Sequence, residues 1–190
     1  EDNASVNSLH LLKQVIEHTN SLPIEALTLL SKALLNVSDI ESLINISVVL
    51  ARSSTEQKFT DEILNNIESG LDYEEWEIID NLTLAVKNSA NNGIKLSQDL
   101  IAVLSDIVID ESTTLTTKQN STIAISLTSD KSKLNSEQVL SALLQSFYIQ
   151  DVEISKALML IFGNYFGNCF DYRLQNTNSL IVKQLENHLS

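Results

Sequence analysis

Cysteine occurs once in the 190 residues, at Cys169, which excludes an internal disulfide and a thiolate metal cluster. No histidine lies near it in sequence, so it reads as a small core residue. Glycine occurs four times, too rarely to build a phosphate-cradling loop. The three histidines, His10, His18 and His188, sit near the chain ends without metal-ligand spacing. No apolar run approaches the roughly 18 residues of a membrane span. Basic side chains are scarce as well, 12 Lys and Arg against 25 Asp and Glu, for a net charge of −13. That balance repels phosphate backbones and anionic lipid, so neither nucleic acid nor membrane insertion is expected. These absences together predict a non-enzymatic protein with no cofactor and no metal. The chain begins at Glu1 without signal-peptide features and reads as a piece of a longer protein, its compartment open between cytoplasm and secretion or surface exposure.

What the chain has instead is a repeated ladder. Ser21-Leu22-Pro23-Ile24-Glu25 leads into Ala26, Leu27, Leu30 and Leu34, and Thr60-Asp61-Glu62 into Ile63, Leu64, Ile67 and Leu71, 37 positions on. Ser97-Gln98-Asp99 leads into Leu100, Ile101, Leu104 and Val108 after another 37, and Ser136-Glu137-Gln138 into Val139, Leu140, Leu143 and Phe147 after 39. Apolar residues at i, i+1, i+4 and i+8 lie on one stripe of a helix. The hydroxyls, the proline and the acids before them suit helix N-termini. A second ladder follows each first one: Ile40, Leu43, Ile46 and Leu50, then Trp76, Ile79, Leu82 and Val86, with Val152, Ile154, Ala157, Leu158 and Ile161 in the fourth copy. Polar stretches at 52–58, 87–95 and 128–133 read as loops between repeats.

A fixed period in this range marks stacked supersecondary units. The expected organisation is one all-α domain over 1–190, with a partial repeat at 1–19 around Val6, Leu9, Leu12 and Ile16. Whole repeats follow at 21–58, 59–95, 96–133 and 134–171, then a closing helix at 177–189 carrying Leu180, Ile181, Leu185 and Leu189. Segment 112–128 stays open between helix and β-hairpin, because it is rich in threonine and Ile123, Ile125 and Leu127 alternate. Its place in the period favours a helix from about Lys118, with Ile123, Ala124 and Leu127 inward. The pattern resembles the armadillo and HEAT-like helical repeats in period and helix pairing, without the consensus residues of either. That resemblance implies a right-handed α-solenoid that binds macromolecules along an extended face.

Two segments are candidate binding sites. Residues 56–80 hold nine acids against Lys58 alone, and the only tryptophan, Trp76, lies among Asp72, Glu74, Glu75 and Glu77. An aromatic anchor among acids suits a basic protein segment. The structural alternative makes Trp76 the first core residue of its helix, in the column of Ile40. Asp39, Glu41, Asp106, Asp110 and Glu111 are expected to extend the acidic face, and the acids of 72–75 lack the spacing and glycine of a calcium-binding EF-hand loop. The second candidate is 162–172, which holds five of the ten aromatics. Its Tyr165, Phe166, Phe170 and Tyr172 either line a docking site or cap the end of the stack. The expected function is a protein-binding scaffold acting through an acidic face. The alternative is a fragment of a secreted bacterial effector or surface protein engaging host proteins such as the cytoskeleton, suggested by richness in Asn, Ser, Thr and Ile.

Overall fold

The computed structural model describes residues 22–128, 134 and 136–167, with side chains to 163. The partial repeat at 1–19 and the closing helix at 177–189 lie outside the described residues. Eight α-helices follow one another: α1 (Ile24–Leu34), α2 (Ile40–Ser53), α3 (Asp61–Gly70), α4 (Trp76–Asn91), α5 (Gln98–Ile109), α6 (Leu115–Leu127), α7 (Glu137–Gln145) and α8 (Val152–Gly167). A single 3-10 turn, Ser146–Tyr148, joins α7 to α8, and no strand occurs among the described residues.

The capping residues of the odd-numbered helices act as their chemistry dictates. Thr60, Ser97 and Ser136 accept the free N–H groups of Ile63, Leu100 and Val139 through their hydroxyls, and Pro23 precedes α1 without a side-chain bond. Three of the four even-numbered helices are capped too, α2 by Asp39 on Ser42 N–H at 2.8 Å and α6 by Thr114 on Thr117 N–H at 3.1 Å, while Glu75 before α4 makes no side-chain capping bond. Asp151 receives the N–H groups of Glu153 and Ile154 at 3.0 and 2.9 Å. At the far end of α4 the chain stops in a Schellman turn: Gly93 takes φ +80°, its N–H meets Ala90 O, and Ile94 N–H meets Ser89 O.

Each helix packs on the one after next as well as on its neighbour. Odd helices contact odd helices, α1 with α3, α3 with α5 and α5 with α7; even helices contact even ones, α2 with α4, α4 with α6 and α6 with α8. The first three pairs, α1 with α2, α3 with α4 and α5 with α6, close across these two rows, and the 3-10 turn links α7 with α8. Between the rows lies one core, in which Leu27, Leu34, Ile63, Ile67, Leu100 and Ile101 from the odd helices meet Ile46, Leu50, Ile78 and Leu82 from the even ones. Gly70 is part of the fit, because a Cβ there would stand 2.7 Å from Leu34 Cδ2 and 3.0 Å from Leu82 Cδ1.

The even row is joined by polar groups. Of the buried polar side chains eleven lie on α2, α4 and α6, and two, Ser31 and Ser105, on the odd helices. Asn81 Nδ2 donates to Ser47 Oγ at 3.2 Å, Asn88 Nδ2 to Ser54 Oγ at 3.1 Å, and Lys87 Nζ to Asn120 Oδ1 at 2.8 Å. Further along, Thr114 Oγ1 donates to Asp80 Oδ1 at 2.6 Å, Thr117 donates to the same oxygen, and Gln119 Nε2 donates to Asp151 Oδ2 at 2.9 Å. These bonds join residues 32 to 37 positions apart. From Ser47–Asn81 to Ser54–Asn88 both partners advance by the same number of residues, so neighbouring even helices run parallel.

Several expectations are corrected. Segment 112–128 is the helix that its place in the period favours and not a hairpin, but α6 begins at Leu115 rather than Lys118, and of the residues expected inward Ala124 is buried, Ile123 half-buried and Leu127 exposed, with Ile125 buried in its stead. Its sequence hid the helix because Thr117, Asn120, Ser121, Thr122 and Ser126 occupy buried positions between α4, α5 and α8, which erases the apolar stripe. The polar stretch 87–95 is helical through Asn91, because Asn88 and Lys87 are seam residues and not loop residues. Phe147, the last rung of the fourth ladder, leaves the core at 44% exposure, since α7 ends at Gln145 and the 3-10 turn rotates it onto the Phe162 ring, 5.4 Å between centroids.

Two stability measurements check this packing. Asn88→Ala removes a donor from the even seam and is expected to lower the unfolding free energy by about 1–2 kcal/mol in urea denaturation. Gly93→Ala forces an L side chain into the left-handed region and is expected to cost about 1–2 kcal/mol.

Candidate functional site

Asp72, Glu74 and Glu75 sit in the turn from α3 to α4, and Trp76 and Glu77 are the first two residues of α4. Parallel packing sets this turn beside the one from α5 to α6. Between the two lies a pocket of about 330 Å³ lined by Asp72, Glu74, Trp76, Asp110, Thr113 and Thr114, among others. Trp76 is 57% exposed, which corrects its reading as the first core residue of α4. The column it shares with Ile40 is real, but Ile40 is equally exposed at 56%. A side chain at the first helical position leans toward the helix N-terminus and so overhangs the turn, not the core. Ile78 takes the core position, and Ile79 is half-buried on the pocket wall.

The acidic segment divides. Helix α3 spans ten residues, about 15 Å, and sets Asp61 and Glu62 at the opposite end from Asp72. Glu62 pairs with Lys32 at 2.8 Å, Glu68 accepts from Ser97 Oγ at 3.1 Å, and Asp80 receives Thr114 and Thr117. Asp106 accepts Gln138 Nε2 at 2.8 and 2.9 Å and does not line the pocket. Thus Asp72 and Glu74 converge on the pocket and Asp110 joins them from the α5–α6 turn. Glu111 lines a second pocket, of about 280 Å³, with Ile109, Lys118 and Tyr148, between the α5–α6 turn and the 3-10 turn. Of the aromatic segment, Phe162 is buried in the core; Tyr165 and Phe166 fall in α8 with side chains outside the described residues, as Phe170 and Tyr172 are entirely.

Three acids, Asp39, Asp110 and Asp151, accept backbone N–H groups close by in sequence. The Ser42 hydroxyl and N–H hold the Asp39 carboxyl below the usual carboxylate range, and the Ser112 N–H and hydroxyl do the same for Asp110, with Lys118 contributing. Asp151 is lowered chiefly by the Ile154 N–H, with help from the Gln119 amide. In contrast, burial pushes the Lys87 ammonium down. An exposed indole ring beside fixed carboxylates offers a cation both a π face and counter-charges, the chemistry that receives a Lys or Arg side chain. Among the described residues no group of three or more His, Cys, Asp or Glu side chains is placed to hold a metal ion. Asp110, expected on the acidic face, lines the pocket, whereas Thr113 and Thr114 were not anticipated there, because they reach it only through the packing of α6 on α4.

No family model, no curated protein and no solved structure matches the chain.

The depressed carboxyl groups predict a pH dependence. Because Asp39, Asp110 and Asp151 are lowered in the folded chain, their stabilisation is complete above the unfolded value of about 3.9 and is lost as pH falls through the folded values. The Asp39→Asn, Asp110→Asn, Asp151→Asn combination is expected to flatten the acid limb of stability against pH, measured by urea denaturation at a series of pH values.

Proposed function

We propose that the chain is a segment of a right-handed α-solenoid, built of helical pairs at a period near 37 residues, that works as a non-enzymatic scaffold and binds a basic segment of another protein. Support for the repeat comes from the packing of each helix on the one after next and from bonds that join groups about one repeat apart. The observation that carries the binding reading is the pocket in which Trp76 stands exposed among Asp72, Glu74 and Asp110. Single exposed apolar residues are ordinary on protein surfaces, but an exposed tryptophan in an acid-rimmed pocket is the composition of an interaction hot spot. The chain's net charge of −13 adds long-range attraction for a cationic partner and repels anionic ones.

Binding of this kind is strongest at low salt, because exposed charges are screened over about 10 Å at 0.1 M ionic strength. Titration with a lysine- and arginine-rich peptide is expected to show affinity falling as salt rises. Reversing Glu74, Glu75 and Glu77 to lysine should weaken it by at least about tenfold, or about 1.4 kcal/mol. Unchanged peptide affinity in that variant would remove the acidic face from the account.

A further inference from the structure

Trp76 is one of four such residues. Each even helix opens with a large apolar side chain at its first position, and all four are turned to solvent: Ile40 at 56%, Trp76 at 57%, Leu115 at 50% and Val152 at 67% exposed. They recur at intervals of 36, 39 and 37 residues, each directly after the residue that precedes its helix, Asp39, Glu75, Thr114 or Asp151. Because the even helices run parallel and pack in sequence, these four positions fall along one edge of the stack. The 330 Å³ and 280 Å³ pockets lie on that same edge, one at each of two consecutive junctions. The edge is also charged. Segments 35–41, 71–77, 109–118 and 148–156 together carry ten acids and no arginine, and their only lysines are Lys118 and Lys156. Lys156 is itself spent on Glu153 at 2.7 Å.

We infer that this edge is a continuous docking strip whose occupant is a basic, apolar-faced helix of a partner protein, a reading that rests on the acidic binding role proposed above. Three properties of the strip select that occupant. Charge complementarity requires lysine and arginine on the partner, and the same carboxylates oppose a second copy of this acidic chain. The apolar residues require an apolar face, since a purely cationic peptide would leave them in water. Their step selects the helix: packed helices stand about 8–10 Å apart, and an α-helix brings a residue back to the same face about every seven residues, or about 10.5 Å. A β-extended segment covers that step in about three residues, which turns successive contacts to opposite sides.

The test uses the whole 190-residue chain and a synthetic helical peptide of about 22 residues, about 33 Å long. It carries leucine at each heptad step, lysine and arginine flanking the leucines and alanine elsewhere; a scrambled peptide of identical composition is the control. Trp76, the only tryptophan, reports occupancy by a blue shift of its emission. The heptad peptide is expected to bind saturably with that shift, at least about tenfold more tightly than the scramble. Replacing Ile40, Leu115 and Val152 together by serine should erase the difference between the peptides while circular dichroism stays unchanged, because none of the three is in the core. Equal affinity for the two peptides would overturn the strip while leaving a general acidic interaction intact. Failure of both peptides to bind at low salt would overturn the strip and the acidic reading together. A dimer of the chain that the triple serine variant dissolves would overturn it differently, by making the edge a self-interface.

Discussion

A three-group relay joins α1 to α3 once and α2 to α4 twice, and much else depends on it. A serine hydroxyl donates to a carbonyl three residues earlier, which fixes its lone pairs outward, and an asparagine 34 or 35 residues later donates to that oxygen. Ser31 bonds Thr28 O and receives Asn66; Ser47 bonds Ile44 O and receives Asn81; Ser54 bonds Ala51 O and receives Asn88. Apolar packing is indifferent to small slides of one helix along another, whereas a half-buried amide that misses its acceptor loses a bond worth about 0.5–1.5 kcal/mol. The relay therefore sets the register that the core alone leaves loose. Most buried hydroxyls of these helices are bonded within their own turn and so enter the core already satisfied, Ser53 and Ser121 excepted.

Register in turn decides what lies on the surface. Once the even helices are parallel and aligned, their N-termini share an edge, and two local requirements act there together. The positive ends of the helices favour acids in and before the first turn, and the first helical side chain leans away from the core. A row of carboxylates interleaved with exposed apolar residues is the result. Part of the acidity thus originates in helix capping, as at Asp39 and Asp151, and part does not: Asp72 and Glu74 make no capping bond and stand with Trp76 and Asp110 around one pocket. It is this second group that gives the edge its chemistry.

Much of this was legible in the chain. The rungs Leu27, Ile63, Leu100 and Val139 are buried as their spacing requires, and Thr60, Ser97 and Ser136 cap where they stand. What could not be read follows from contacts made more than thirty residues away. Segment 112–128 stayed open between helix and hairpin because its neighbours bury polar residues, and Lys87 and Asn88 looked like loop because their partners, Asn120 and Ser54, lie more than thirty residues off. Trp76 looked like core because a column of apolar residues at helical spacing does not show where the helix leaves its neighbours. One signal for its exposure was present: a helix-preceding residue followed at once by a large apolar one, at residues 39–40, 75–76, 114–115 and 151–152.

The placement of Trp76 is the point at which fold, register and surface chemistry meet, and a single tryptophan makes it directly measurable. Acrylamide quenching of the native chain addresses it without any partner. An indole 57% exposed at the acidic edge should emit at the red, water-like end of its range and be quenched nearly as efficiently in the folded as in the unfolded chain. A blue emission shielded from acrylamide until the chain unfolds would place Trp76 in the core and contradict the account.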